Sequence, residues 1–171
     1  MKSKNILAFG LLLTFSYCIT TLGRQQNQSN KPKVSEAEAK ALTAINAAPD
    51  TAAKLTAGED FVAKYPKSEA LTPLADELAV EISKVGDATQ KLAFADRFQK
   101  AFGNDRSFLV IQSARLDAYA ATSKYDEAFA VAAAILAKDP EEVHTLVQMT
   151  LTGTEEAKKG VGKHVPQTQQ Y

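Results

Sequence analysis

Two histidines, His144 and His164, and one cysteine, Cys18, are the side chains of this 171-residue chain best suited to nucleophilic or metal chemistry. Their spacing decides what they can do. His144 stands three residues after Glu141 and four before Gln148, which puts the three on neighbouring positions of one helix surface. One imidazole and one carboxylate fall short of the three or four protein ligands that zinc takes, so His144 reads as a surface or half-buried histidine. His164 lies in the polar run VGKHVPQTQQY and is expected to be solvated. The carboxylate pairs Glu59-Asp60, Asp76-Glu77, Asp126-Glu127 and Glu155-Glu156 are adjacent in sequence. Neighbours on a helix point about 100° apart, so none of these pairs forms an acid/base dyad by itself. They read as helix-end and solvated charges. The eight glycines are scattered and build no phosphate-binding loop. The expectation is a protein with no catalytic, cofactor-binding or metal-binding residue, and therefore not an enzyme.

Charge excludes other classes. Twenty basic groups balance twenty acidic ones, whereas nucleic acid and anionic lipid ask for a concentrated positive field. Residues 1–23, MKSKNILAFGLLLTFSYCITTLG, stand apart: Lys2 and Lys4 precede an uncharged stretch that ends on Thr20, Thr21 and Gly23. This is the three-part pattern of a secretory signal, cut near Gly23; an uncleaved N-terminal membrane anchor is the alternative. A lipid-modified Cys18 would want a small residue before it, and Tyr17 is bulky. Cleavage removes the only cysteine and leaves 18 basic and 20 acidic groups, a net charge of −2. Without thiols the exported chain is stabilised by packing alone, which suits a bacterial periplasm or cell surface.

The elements that position everything else are helices. Residues 24–33, RQQNQSNKPK, carry no apolar side chain and read as a disordered polar linker. From 34 to 160 apolar residues recur at intervals of three and four, and Ala, Leu, Lys and Glu dominate. Residues 161–171 read as a polar C-terminal tail. Ser35-Glu36-Ala37-Glu38 forms a capping box that opens a helix ending near Ala48. Asp50 caps a second helix that stops at Tyr65-Pro66. The third carries Leu71, Leu74, Leu78, Ile82 and Val85 and stops at Gly86; Ser68 or Thr72-Pro73 starts it. Asp87-Ala88-Thr89-Gln90 opens a fourth with Phe94, Phe98 and Phe102 on one stripe, ending near Gly103. A fifth spans about 106–122 and a sixth 125–138. Asp139-Pro140-Glu141-Glu142 restarts the chain into a seventh that ends near Leu151, and Thr154 caps a short final one. The fold class is all-α.

The helices repeat. A shift of 37 residues carries Phe61 to Phe98 to Ile135, Ile45 to Ile82 to Tyr119, and Pro66 to Gly103 to Pro140. Helix-ending and apolar positions stay in register, so the chain reads as antiparallel helix hairpins in three units plus a C-terminal cap. Each unit leaves an apolar face for the next, and Ala41, Ala48, Ala79, Ala118 and Ala128 let helix axes approach.

The stretch DAYAATSKYDEAFAVAAAILAKDP, residues 117–140, resembles a tetratricopeptide repeat: Tyr119, Ser123, Tyr125, Ala128 and Pro140 match the family's positions and spacing. Two departures stand out, Arg115-Leu116 where the family usually has Leu-Gly, and a period of 37 against the family's usual value of about 34. The resemblance covers residues 35–151 and implies a tetratricopeptide-like α-solenoid of about seven helices plus a short C-terminal one. It also implies a concave face lined by the first helix of each pair, which here means Ala39, Thr43 and Asn46, then Asp76, Val80 and Ser83, then Ser113, Asp117 and Ala120. That set is small and neutral to acidic, and it lacks the Lys/Asn clamp with which some relatives hold a C-terminal carboxylate. The expected function is that of a non-enzymatic adaptor or scaffold binding another envelope protein or peptide; a structural subunit of a larger assembly or a homo-oligomer is the alternative.

Overall fold

The computed structural model describes residues 33–169. The proposed signal segment, Cys18 and nearly all of the polar linker lie outside the described residues. Within them the chain forms eight helices and no strand: α1 (Glu36–Asn46), α2 (Thr51–Lys64), α3 (Leu71–Ser83), α4 (Ala88–Phe102), α5 (Phe108–Ala121), α6 (Tyr125–Leu136), α7 (Val143–Lys158) and α8 (Val165–Thr168). None of these is long and apolar enough to cross a membrane.

Local chemistry explains most helix ends. The Ser35 hydroxyl accepts from the Glu38 N–H, and the Glu38 carboxylate accepts from the Ser35 N–H at 2.7 Å, closing the expected box. Asp50 and Asp87 each accept from the backbone N–H three residues on, at 2.8 and 2.7 Å. Tyr65 ends α2 before Pro66, and Gly103, at φ 87°, ends α4 in a conformation L side chains rarely adopt. Two starts differ from expectation. Neither Ser68 nor Thr72 caps α3; Ala70 precedes it, buried and without a side-chain cap, and the Ser68 hydroxyl accepts from the Ala70 N–H instead. Pro73 is then the third residue of the helix, where its missing N–H is one the first turn leaves unpaired anyway. At α7 the cap is Glu142, not Asp139.

Helices α2, α4 and α6 begin at Thr51, Ala88 and Tyr125, each 37 residues after the last. Packing follows the chain in series. Every helix packs on the one after it, α2 also packs on α4, α3 on α5 and α5 on α7, and no pair farther apart in order packs extensively. The equivalent residues Phe61, Phe98 and Ile135 are 2%, 0% and 0% exposed, so all three units seat the same position in the interior. A fully buried Phe contributes about 1.5–3 kcal/mol, and Phe98 stacks on Phe102 at 4.8 Å between ring centres.

Two hydrophobic clusters share the interior. The first runs from Ile45 through the Leu71, Leu78 and Ile82 stripe to Phe98, Phe102 and Ile111; the second gathers Leu116, Phe129, Ile135 and Met149. Helix α5 belongs to both. Leu116, where the resembled family has glycine, is 1% exposed and fills the second cluster. Arg115 beside it pairs with Asp96 and donates to Gln99 at 2.8 Å, tying α5 to α4. Arg97 of α4 grips Glu59 of α2 with two hydrogen bonds, at 2.9 and 2.7 Å. Such bidentate pairs fix geometry as well as energy. The close approach of α2 and α3 depends on Gly58, where an added Cβ would stand 2.6 Å from Leu78 Cδ1.

The end of the chain differs most from expectation. Helix α7 continues through Thr154, which caps nothing, to Lys158. The segment after it is not a solvated tail: His164 is 6% exposed, and α8 packs on α7. An added Cβ at Gly153 would lie 2.5 Å from Thr168 Cγ2, so this glycine sits inside a helix to admit the returning chain.

Candidate functional site

The face expected to bind is carried by the odd-numbered helices. Ala39, Thr43 and Asn46 are exposed on α1; on α3 Asp76 and Val80 are exposed and Ser83 is half-buried; on α5 Ser113, Asp117 and Ala120 are half-buried. None of the nine belongs to the interior. Helix α3 packs on α5 and α5 on α7, but α1 does not pack extensively on α3. The α1 trio therefore stands apart, and the continuous face is that of α3, α5 and α7. Asp76 is joined to the start of α5 by the Ser107 hydroxyl, which donates to it at 2.7 Å.

Asp117 and Ala120 line one recess together, closed by Tyr125 of α6 and by Gln148, Leu151 and Glu155 of α7. His144 reaches across from α7, its Nε2 lying 3.0 Å from Asp117 Oδ1. The histidine thus finds its partner on α5 and not in Glu141 on its own helix. Thr152, at the floor of the recess, is 3% exposed, and its hydroxyl has no hydrogen-bond partner.

The contribution of α7 is what sequence reasoning missed. The same 37-residue shift carries Ser113 to Thr150, Asp117 to Thr154 and Ala120 to Ala157, so a fourth set was present in the register. Beside it Val143, Val147 and Leu151 are 69%, 52% and 56% exposed, the most exposed large apolar side chains on one element. An apolar row of that kind on a surface marks an interaction site more often than a scatter of single residues does.

A second cluster forms where the chain returns. His164 stacks on Phe129 with ring centres 4.4 Å apart and planes 8° from parallel. Its Nδ1 lies 2.9 Å from Glu156 Oε1 and its Nε2 3.2 Å from Asp126 Oδ1, while Glu156 also accepts from the His164 N–H at 3.0 Å. The ring therefore has a carboxylate oxygen within hydrogen-bond reach of each nitrogen. Glu156, 1% exposed, has its hydrogen-bond partner there. Lys163 donates to both oxygens of Asp126 at 2.8 Å and holds that carboxyl below its usual range. Both ring nitrogens of His164 thus face carboxylates of the protein. Among the described residues no group of three or more His, Cys, Asp or Glu side chains converges on a metal site.

No family model, no curated protein and no solved structure matches the chain, so its likeness to tetratricopeptide repeats rests on the residues quoted above.

Proposed function

We propose that this protein is an exported, non-enzymatic helical-repeat adaptor of the tetratricopeptide-like kind, which binds another protein or peptide of a bacterial envelope through the face of α3, α5 and α7. The observation that carries this reading is the recess at Asp117 and Ala120, continued along α7 by exposed apolar side chains. A serial stack of helix pairs offers an extended surface without any catalytic group. The pattern of residues 1–23 supports export. His144 and His164, the two imidazoles, each lie beside a carboxylate of the protein, and among the described residues neither is hydrogen-bonded to a serine, threonine or tyrosine hydroxyl.

The test is capture from native envelope extract. A chain carrying Asp76→Lys and Asp117→Lys keeps its helical circular dichroism, because both positions lie outside the core, and loses at least tenfold of the partner that wild type retains. Equal capture by the variant removes this face from the account. The alternative, a structural subunit that packs into a larger assembly, is favoured by one feature, the exposed row on α7.

A further inference from the structure

We propose, resting on the adaptor reading, that the recess between α5 and α7 is a specificity pocket for one basic side chain, a lysine or arginine of the bound protein or peptide. The recess holds about 340 Å³, at the lower end of the ~300–1,000 Å³ typical of ligand pockets, which suits one long side chain. Two carboxylates line it, Asp117 from α5 and Glu155 from α7, and among the described residues no basic side chain does. Each carboxylate is engaged at one oxygen. His144 Nε2 meets Asp117 Oδ1 at 3.0 Å, and Lys158 donates to Glu155 Oε1 at 2.6 Å. Among the described residues, Asp117 Oδ2 and Glu155 Oε2 accept no hydrogen bond. Lys159 is held elsewhere, donating to Ser123 at 2.8 Å with its ammonium 5.5 Å from the centre of the Tyr125 ring.

The hydroxyl on the floor points independently to a ligand. On the same helix Thr150 and Thr154 donate to the carbonyls four residues back, those of Leu146 and Thr150, at 2.9 and 2.8 Å. Thr152 makes no such bond: it is 3% exposed, its hydroxyl has no partner, and it lines the recess. A buried hydroxyl left unpaired destabilises the protein, and a hydrogen-bonding group that enters the recess offsets that loss. An apolar ligand would leave Thr152 unpaired, and an anion would meet two carboxylates. An ammonium carries three N–H donors and a guanidinium five, with no acceptor. Such a group matches a site whose free atoms are carboxylate oxygens and a hydroxyl. Ala120, Ala121 and Leu151 give the methylene stem of the same side chain an apolar wall.

The test uses the full chain and four short alanine peptides that differ in one central residue: lysine, arginine, norleucine or glutamate. Binding is read from the amide NMR shifts of Ala120, Gln148 and Thr152. The lysine or the arginine peptide is expected to saturate these shifts with a dissociation constant on the order of 1 mM, weakened by salt at about 0.5 M; the norleucine and glutamate peptides leave them unmoved. Asp117→Asn with Glu155→Gln is expected to weaken binding about tenfold or more. Thr152→Val is expected to weaken it about fivefold while unfolding at the same or a higher urea concentration, because the substitution removes a hydroxyl that the free protein leaves unpaired. Equal shifts from the norleucine peptide, no saturable shift from either basic peptide up to about 20 mM, or a Thr152→Val chain that binds as wild type does overturns the inference. So does a destabilised Thr152→Val chain, since the hydroxyl would then have its partner inside the protein. Envelope capture that Asp76→Lys with Asp117→Lys abolishes and Thr152→Val leaves intact removes the basic-residue pocket and keeps the adaptor reading. Equal capture by the double-lysine variant, with lysine-peptide binding intact in wild type, does the reverse.

Discussion

Glu142 accepts from the backbone N–H groups of His144 and Thr145, at 3.2 and 2.6 Å, and so satisfies two of the donors that a helix start leaves unpaired. Burial pushes its carboxyl up, but the hydrogen bonds from Thr145 and His144 outweigh that and hold it below the usual 4.5. A carboxyl depressed in the folded state contributes stability that is present above its unfolded value and is lost as pH falls through the folded one. Glu142→Ala is therefore expected to cost about 1 kcal/mol at pH 7, and the difference from wild type is expected to shrink below about pH 4. Urea denaturation at the two pH values measures it; a gap that widens in acid would contradict the assignment. Asp139 followed by Pro140 carries the commoner sequence signal for such a cap. What decided otherwise was the turn before the helix, where Asp139 accepts from the Glu141 N–H and the helix proper begins two residues later than that.

At the scale of elements, the returning segment of residues 161–169 is held by the buried contact of His164 with Glu156, by the stacking of His164 on Phe129 and by Lys163 on Asp126. Removing the imidazole leaves the buried Glu156 carboxyl without its hydrogen-bond partner, which costs about 1–3 kcal/mol, whereas replacing both groups by apolar ones is close to neutral. His164→Ala is thus expected to destabilise the protein by that order, and His164→Leu combined with Glu156→Leu by much less. Equilibrium unfolding of the two variants separates them; equal losses would mean that stacking on Phe129, not the hydrogen bond to Glu156, holds the segment. This element was illegible in the sequence for a physical reason. VGKHVPQTQQY is polar in composition, and only contact with Phe129, Gly153 and Glu156 makes its histidine an interior residue. The helix ends at Ser35, Asp50, Asp87, Pro66 and Gly103 were legible because these residues act on the backbone next to them. Gly153 carries the opposite lesson. A glycine beside Thr154 looks like a helix end, but it is there to let Thr168 approach, and the helix runs through it.

For the whole molecule, the period of 37 was visible because it fixes positions that both end helices and fill the interior, and the spacing of Thr51, Ala88 and Tyr125 repeats it. The proposed binding face was readable on α3 and α5 by the same register. It was not readable on α7, since the seventh helix was expected to stop near Leu151 and its outward row had no role in a three-unit reading. The α1 residues were placed on that face by register alone; packing leaves α1 against α2 and not against α3. What joins the units is a set of polar contacts about one period apart, such as Arg97 with Glu59 and Lys163 with Asp126, over continuous apolar packing. Because α5 alone takes part in both hydrophobic clusters, the two halves are expected to differ in local stability.

The adaptor reading rests on helices stacked in series, and native-state hydrogen exchange on Ile135→Ala tests that most directly. Removing this fully buried side chain is expected to cost about 2–5 kcal/mol. Serial stacking predicts that the loss of protection appears in α6, α7 and α8 while amides of α2, α3 and α4 exchange as in wild type. An equal loss across α2 to α7 would show a single interdependent core and contradict the account.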